Sequence, residues 1–83
     1  MTRMFSEIKT GSSGTDVVVL QSFLRSMHFV DSTGKRIEVD GDYGSRTAYA
    51  VKNFQQFCKA CGQDVGTPDG VCGAKTWRLI MGE

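Results

Sequence analysis

The sequence predicts an all-α fold, a compact bundle of three helices, and three observations carry that prediction. First, Asp40-Gly41-Asp42-Tyr43-Gly44-Ser45-Arg46-Thr47 recurs as Asp69-Gly70-Val71-Cys72-Gly73-Ala74-Lys75-Thr76. Asp, Gly, Gly and Thr are identical in the two copies, and Lys75 replaces Arg46. Second, Gly14, Gly44 and Gly73 each precede a residue three positions on (Val17, Thr47, Thr76) and apolar residues near the seventh (Leu20; Ala50 and Val51; Leu79 and Ile80). That is helical spacing, and glycine before it suits a tight turn into a helix. Third, 40% of the 83 residues are hydrophobic and one is proline, which argues for a folded core in a single domain. That domain spans 1–83, with the motifs between about 8 and 81. A chain this short buries only about two-thirds of its unfolded surface, so large apolar side chains are needed inside.

Helix 1 is expected from Thr15 to Met27, with Val17, Leu20, Leu24 and Met27 on one stripe and Gln21 beside it. Ser13 or Thr15 is expected to cap it, with Asp16 favourable against the helix dipole. Helix 2 is expected from Arg46 to Ala60, with Ser45 near the cap. Thr47, Ala50, Val51, Phe54, Cys58 and Cys61 share its inner face, and Gly62 ends it. Helix 3 is expected from Ala74 to Met81, carrying Trp77, Leu79 and Ile80. Between helices 1 and 2, Asp31-Ser32-Thr33-Gly34 reads as a turn, and the alternation Lys35-Arg36-Ile37-Glu38-Val39 predicts a short strand or β-hairpin. Residues 63–69 form a second loop broken by Gly66 and Pro68.

Composition excludes several functions. Ten basic and nine acidic residues leave a net charge of +1 with no basic block, and helix 3 is short and apolar, so neither nucleic acid nor an anionic membrane is an expected partner. No apolar run approaches the length of a membrane span. The first residues lack an apolar segment and do not read as a secretion signal. Cys58 and Cys61 are spaced as Cys-x-x-Cys, but both fall on an inner helical stripe, so packing explains them before zinc does. Outside the cytoplasm a Cys61–Cys72 or Cys58–Cys72 disulfide is open. One histidine and no metal-binding helix motif argue against a hydrolase site. No metal, cofactor or catalytic residue is expected.

At these motifs the chain resembles the peptidoglycan-binding domain type 1 family. The family's opening pattern stands here as Gly11-Ser12-Ser13-Gly14-Thr15-Asp16-Val17-Val18-Val19-Leu20-Gln21. Its middle pattern runs from Asp40 to Gln55, and its closing pattern from Asp69 to Trp77. His28 departs from a usual glycine after helix 1, yet histidine tolerates the left-handed conformation better than a β-branched residue. Cys72 replaces a usual apolar residue. The resemblance implies a three-helix fold and non-catalytic binding of cell-wall peptidoglycan, through its glycan strand or stem peptide. It further implies anchoring of an attached or associated cell-wall hydrolase or phage lysin. The place of action is then the cell wall or periplasm, reached within a larger exported protein or by phage delivery. The fold also resembles matrix metalloproteinase pro-domains, so the alternative is a protein–protein or structural module.

Peptidoglycan offers sugar faces, amides and carboxylates, which call for an apolar shelf and a few placed polar groups. Tyr43, Tyr49 and Trp77 are the candidate shelves. Asp40, Asp42, Arg46, Gln21 and Asn53 are the candidate polar contacts. The helix starts near Gly44 and Gly73 are further seats for a carboxylate. Against these roles, so small a domain favours Trp77 in the core, Asp40 and Asp69 suit turns, and Arg46 and Arg78 suit a solvated surface.

Overall fold

The three glycines each start a helix: α1 spans Thr15–Ser26, α2 Ser45–Ala60 and α3 Ala74–Met81. The structure is a computed structural model that describes residues 5–82. The N-caps are Gly14, Gly44 and Gly73, and no side chain caps any of the three helices. The capping expected of Ser13 or Thr15 therefore does not occur, whereas Ser45 stands next to the cap as expected. Thr15 and Ser45 already lie inside their helices, and a glycine occupies each cap position. The first-turn N–H groups thus lack a side-chain cap, and Asp16 lies in the first turn of α1.

The two long helices end in the same way. Past α1, Phe29 N–H donates to Leu24 C=O at 3.0 Å and His28 N–H to Arg25 C=O at 3.1 Å. Past α2, Gln63 N–H donates to Cys58 C=O at 2.9 Å and Gly62 N–H to Lys59 C=O at 3.0 Å. Both are left-handed terminal turns, with φ +65° at His28 and +84° at Gly62. His28 thus takes the glycine conformation that its motif position requires.

The core draws Val17, Leu20 and Leu24 from α1, Ala50, Val51, Phe54 and Cys58 from α2, and Trp77 from α3. The loops add Ile8, Ile37, Tyr43, Val65 and Cys72. Each large apolar side chain buried in this way contributes roughly 1.5–3 kcal/mol. Phe23 and Phe29 meet Phe54 edge-on, with ring centroids 5.2 and 5.6 Å away. Met27 and Cys61, both expected on inner stripes, are exposed instead. Each is a C-cap residue, where the chain leaves helical phase.

The N-terminal segment straps the bundle. Ile8 and Cys72 exchange backbone hydrogen bonds of 3.1 and 2.8 Å. Trp77 Nε1–H donates to Ser6 C=O at 2.9 Å, and Phe5 stacks on the Trp77 ring at 4.4 Å. The expected hairpin between α1 and α2 is reduced to one isolated bridge between Val30 and Arg36. The reason is local. Asp31 Oδ1 accepts from Thr33 N–H, Thr33 Oγ1–H and Lys35 N–H, which closes a tight turn. Beyond it Ile37 turns into the core, and its carbonyl is taken by Arg25 Nη1–H at 3.0 Å rather than by a neighbouring strand.

Candidate functional site

Two buried carboxamides organise the surface. Gln21, on α1, reaches the turn before α2. Its Nε2 lies 3.0 Å from Asp40 Oδ1, 2.9 Å from Asp42 C=O and 3.1 Å from Thr47 Oγ1. Its Oε1 accepts from the N–H groups of Asp40 and Gly41 at 3.1 and 2.9 Å. Gln55, on α2, does the same for the turn before α3. Its Nε2 lies 2.8 Å from Val71 C=O, 3.0 Å from Thr76 Oγ1 and 3.5 Å from Asp69 Oδ1, and its Oε1 accepts from Gly70 N–H at 3.0 Å. Each aspartate also accepts from the N–H two residues on, Asp42 at 3.0 Å and Val71 at 2.9 Å. The sequence repeat is therefore a repeat of one clamp, in which each helix holds the start of the next. Tyr43 joins the two copies, its buried hydroxyl donating to Gly70 C=O. Glycine is required at Gly70, where φ is +79° and a Cβ would lie 3.1 Å from Ala48 C=O.

Each clamp leaves a cleft beside the first turn of the helix it starts. The cleft at α2 encloses about 400 Å³. Its lining carries the cations Lys35, Arg36 and Arg46 and the carboxylates Asp31, Glu38, Asp40 and Asp42, with buried Ile37 and Thr47 and exposed Gly44 and Ser45. Hydrogen bonds from Asp42 N–H and the Gln21 amide hold the Asp40 carboxyl below the usual range. The Thr33 hydroxyl does most to lower Asp31, and the charge of Arg46 adds to it. Both carboxylates are thus fixed in the ionised state. The cleft at α3 is smaller, about 240 Å³, and is lined by Glu7, Val65, Thr67, Val71, Lys75 and the repeat residues around them.

Of the residues predicted from sequence, Asp40, Asp42 and Arg46 meet in the α2 cleft. Gln21, Tyr43 and Trp77 do not line it. They are 1%, 2% and 4% exposed, and their polar atoms are bonded within the fold. Gln21 shapes the cleft from behind rather than facing it. Tyr49 is 45% exposed and Asn53 half-buried, and neither lines either cleft. Sequence reasoning missed Lys35, Arg36 and Glu38, which it assigned to a strand, and Gln55, which it read only as part of a motif. Gln21 and Gln55 stand 19 and 14 residues ahead of the aspartates of their turns, so no common spacing marked the second clamp.

The cysteines are three free thiols. Cys72 is fully buried at the position equivalent to Tyr43, and burial pushes its thiol up to about 12. Burial likewise raises Cys58, whereas Cys61 sits on the surface. Neither disulfide left open by the sequence is formed.

Comparison with known proteins agrees with this architecture. The family model described as "Putative peptidoglycan binding domain" matches residues 13–80. The spore cortex-lytic enzyme of Bacillus cereus is 41% identical over 75 residues, covering 89% of this chain and 24% of that protein. The chain thus spans about a quarter of the length of the curated relatives it matches. The crystal structure of the SleB N-terminal domain superposes with a TM-score of 0.71 at 34% identity, covering 98% of this chain and 96% of that one. The crystal structure of a Burkholderia AP3 phage endolysin gives 0.66 at 32% identity, covering 93% of this chain and 25% of that one. A family match across both clamps and all three helices leaves one assignment: this chain belongs to the peptidoglycan-binding domain family.

Proposed function

We propose that the chain is a non-catalytic anchor whose α2 cleft docks the stem peptide of peptidoglycan. The observation that supports the peptide over the glycan is the composition of the cleft wall. Three cations and four carboxylates line it with no aromatic face among them. A sugar ring asks for an apolar shelf, whereas a stem peptide brings carboxylates, amides and amines that such a wall can pair. The uncapped N–H groups of Ser45, Arg46 and Thr47 add donors at one end. The clamp behind the cleft holds these groups in place before binding, which lowers the ordering cost of association.

Chemistry is not the task of this surface. Asp31 and Asp40 are held ionised by their hydrogen bonds, the form that pairs with amines of a ligand. Binding instead keeps an attached or associated wall hydrolase near its substrate by raising its effective concentration. The site of action is the cell wall, reached within a larger protein or by phage delivery. Co-sedimentation with purified sacculi tests this reading, with Arg46→Ala beside the parent and circular dichroism to confirm folding. The parent pellets, the variant binds several-fold more weakly, and no muropeptide is released. A parent that stays soluble with every wall type, but is retained by a protein partner, would move the function to the protein–protein class.

A further inference from the structure

The α3 cleft repeats the part of the α2 cleft that the Asp-Gly turn and the helix start supply. Six lining positions correspond through the sequence repeat, from Asp40 and Asp69 at one end to Thr47 and Thr76 at the other. The same carboxamide clamp shapes both, so the likeness is one of construction and not only of outline. The arrangement of clamp and adjoining cleft is thus present twice in this chain.

Resting on the stem-peptide reading above, we propose that the α3 cleft is a second seat for wall peptide, and that the domain grips two stretches of peptidoglycan at once. The differences between the copies set the chemistry of this seat. Val71 stands for Asp42 and Ala74 for Ser45, while Val65 adds a further apolar wall. The cleft retains one cation, Lys75, which is bridged to exposed Asp64 at 3.2 Å. Glu7 also lines the cleft, its Oε1 3.7 Å from where a Cβ on Gly73 would sit. A smaller cleft with fewer charges takes the weakly charged part of a stem peptide. Alanine methyl groups pack on Val65 and Val71, and a carbonyl or carboxylate faces Lys75. Competition from Glu7 and Asp64 makes it the weaker seat. Its value lies in avidity, since a second weak contact on one polymer multiplies retention without tightening either contact.

The test titrates isotope-labelled full chain with disaccharide-peptide monomers released from sacculi by a muramidase, followed by nuclear magnetic resonance. Pelleting with intact sacculi runs in parallel. Ala74→Glu places a carboxylate in the α3 seat at an exposed first-turn position that the helix dipole favours, so the fold is kept. Monomer is expected to shift the amides of residues 45–47 first and those of residues 74–76 at higher concentration. A74E is expected to lose the second set alone and to bind sacculi at least about tenfold more weakly, a loss within the range of two-point attachment. Shifts confined to residues 45–47, with A74E pelleting like the parent, overturn the second seat and leave wall binding intact. No shifts and no pelleting of the parent overturn both.

Discussion

Replacing Gln21 by leucine keeps most of the side-chain volume and removes all of its hydrogen bonds. Five polar contacts of 2.9–3.1 Å are lost. Water can reach the Asp40 carboxylate, which faces the surface. It cannot easily reach Gly41 N–H or the Thr47 hydroxyl, whose bonds to Gln21 are buried. Each buried group left without a partner costs about 1–3 kcal/mol, so Gln21→Leu destabilises the fold by roughly 2–5 kcal/mol. For a domain of this size 1 kcal/mol corresponds to about 4–8 °C, so the melting temperature falls by at least about 8 °C. Urea unfolding followed by circular dichroism at constant m-value measures the change directly. Gln55→Leu is the internal control. Its Oε1 accepts a single backbone N–H and its contact to Asp69 is long, so it should cost somewhat less. A change below about 0.5 kcal/mol in Gln21→Leu would refute the reasoning, because it would mean that water replaces the clamp without penalty.

Two further outcomes follow from the same structure. His28 holds φ at +65°, a conformation that costs a side-chain-bearing residue about 1 kcal/mol, so His28→Gly should stabilise the fold by about that amount in urea melts. Cys72 ionises near 9 when unfolded but is held up to about 12 by burial in the fold, so its contribution is complete below pH 9 and is lost as pH rises toward 12. Stability should therefore decline above pH 9 at up to roughly 1.4 kcal/mol per pH unit from this thiol, and Cys72→Ala should flatten the alkaline limb while lowering stability at pH 7.

The legible part of this protein was local. Helical spacing placed α1, α2 and α3 within one or two residues, because each helix follows a glycine and closes on a left-handed turn. The repeat of Asp40–Thr47 in Asp69–Thr76 marked the turns as the special feature, because only short-range chemistry is needed to write an Asp-Gly turn before a helix. Which residues then face solvent was not local. In sequence Tyr43 suits a core and a ligand alike, and Trp77 favours the core while remaining a candidate shelf. Packing against the N-terminal strap and Gly70 resolved the choice toward the interior.

The same division separates the clamps from the clefts. Gln21 and Gln55 precede their turns by different intervals, 19 residues from Gln21 to Asp40 and 14 from Gln55 to Asp69, so no fixed spacing announces a shared role. The role exists because the fold brings α1 against the start of α2, and α2 against the start of α3, where a buried carboxamide can satisfy donors and acceptors at once. Lys35, Arg36 and Glu38 alternate like strand residues, but Asp31 closes the turn before them and Ile37 is drawn into the core, which leaves the charges around the α2 cleft. Sequence by itself determined the family, the helices and the turns, because these depend on contacts within a few residues. Tertiary structure alone decided which polar groups are consumed in holding the turns and which remain exposed, because burial is set by what the rest of the chain places on top.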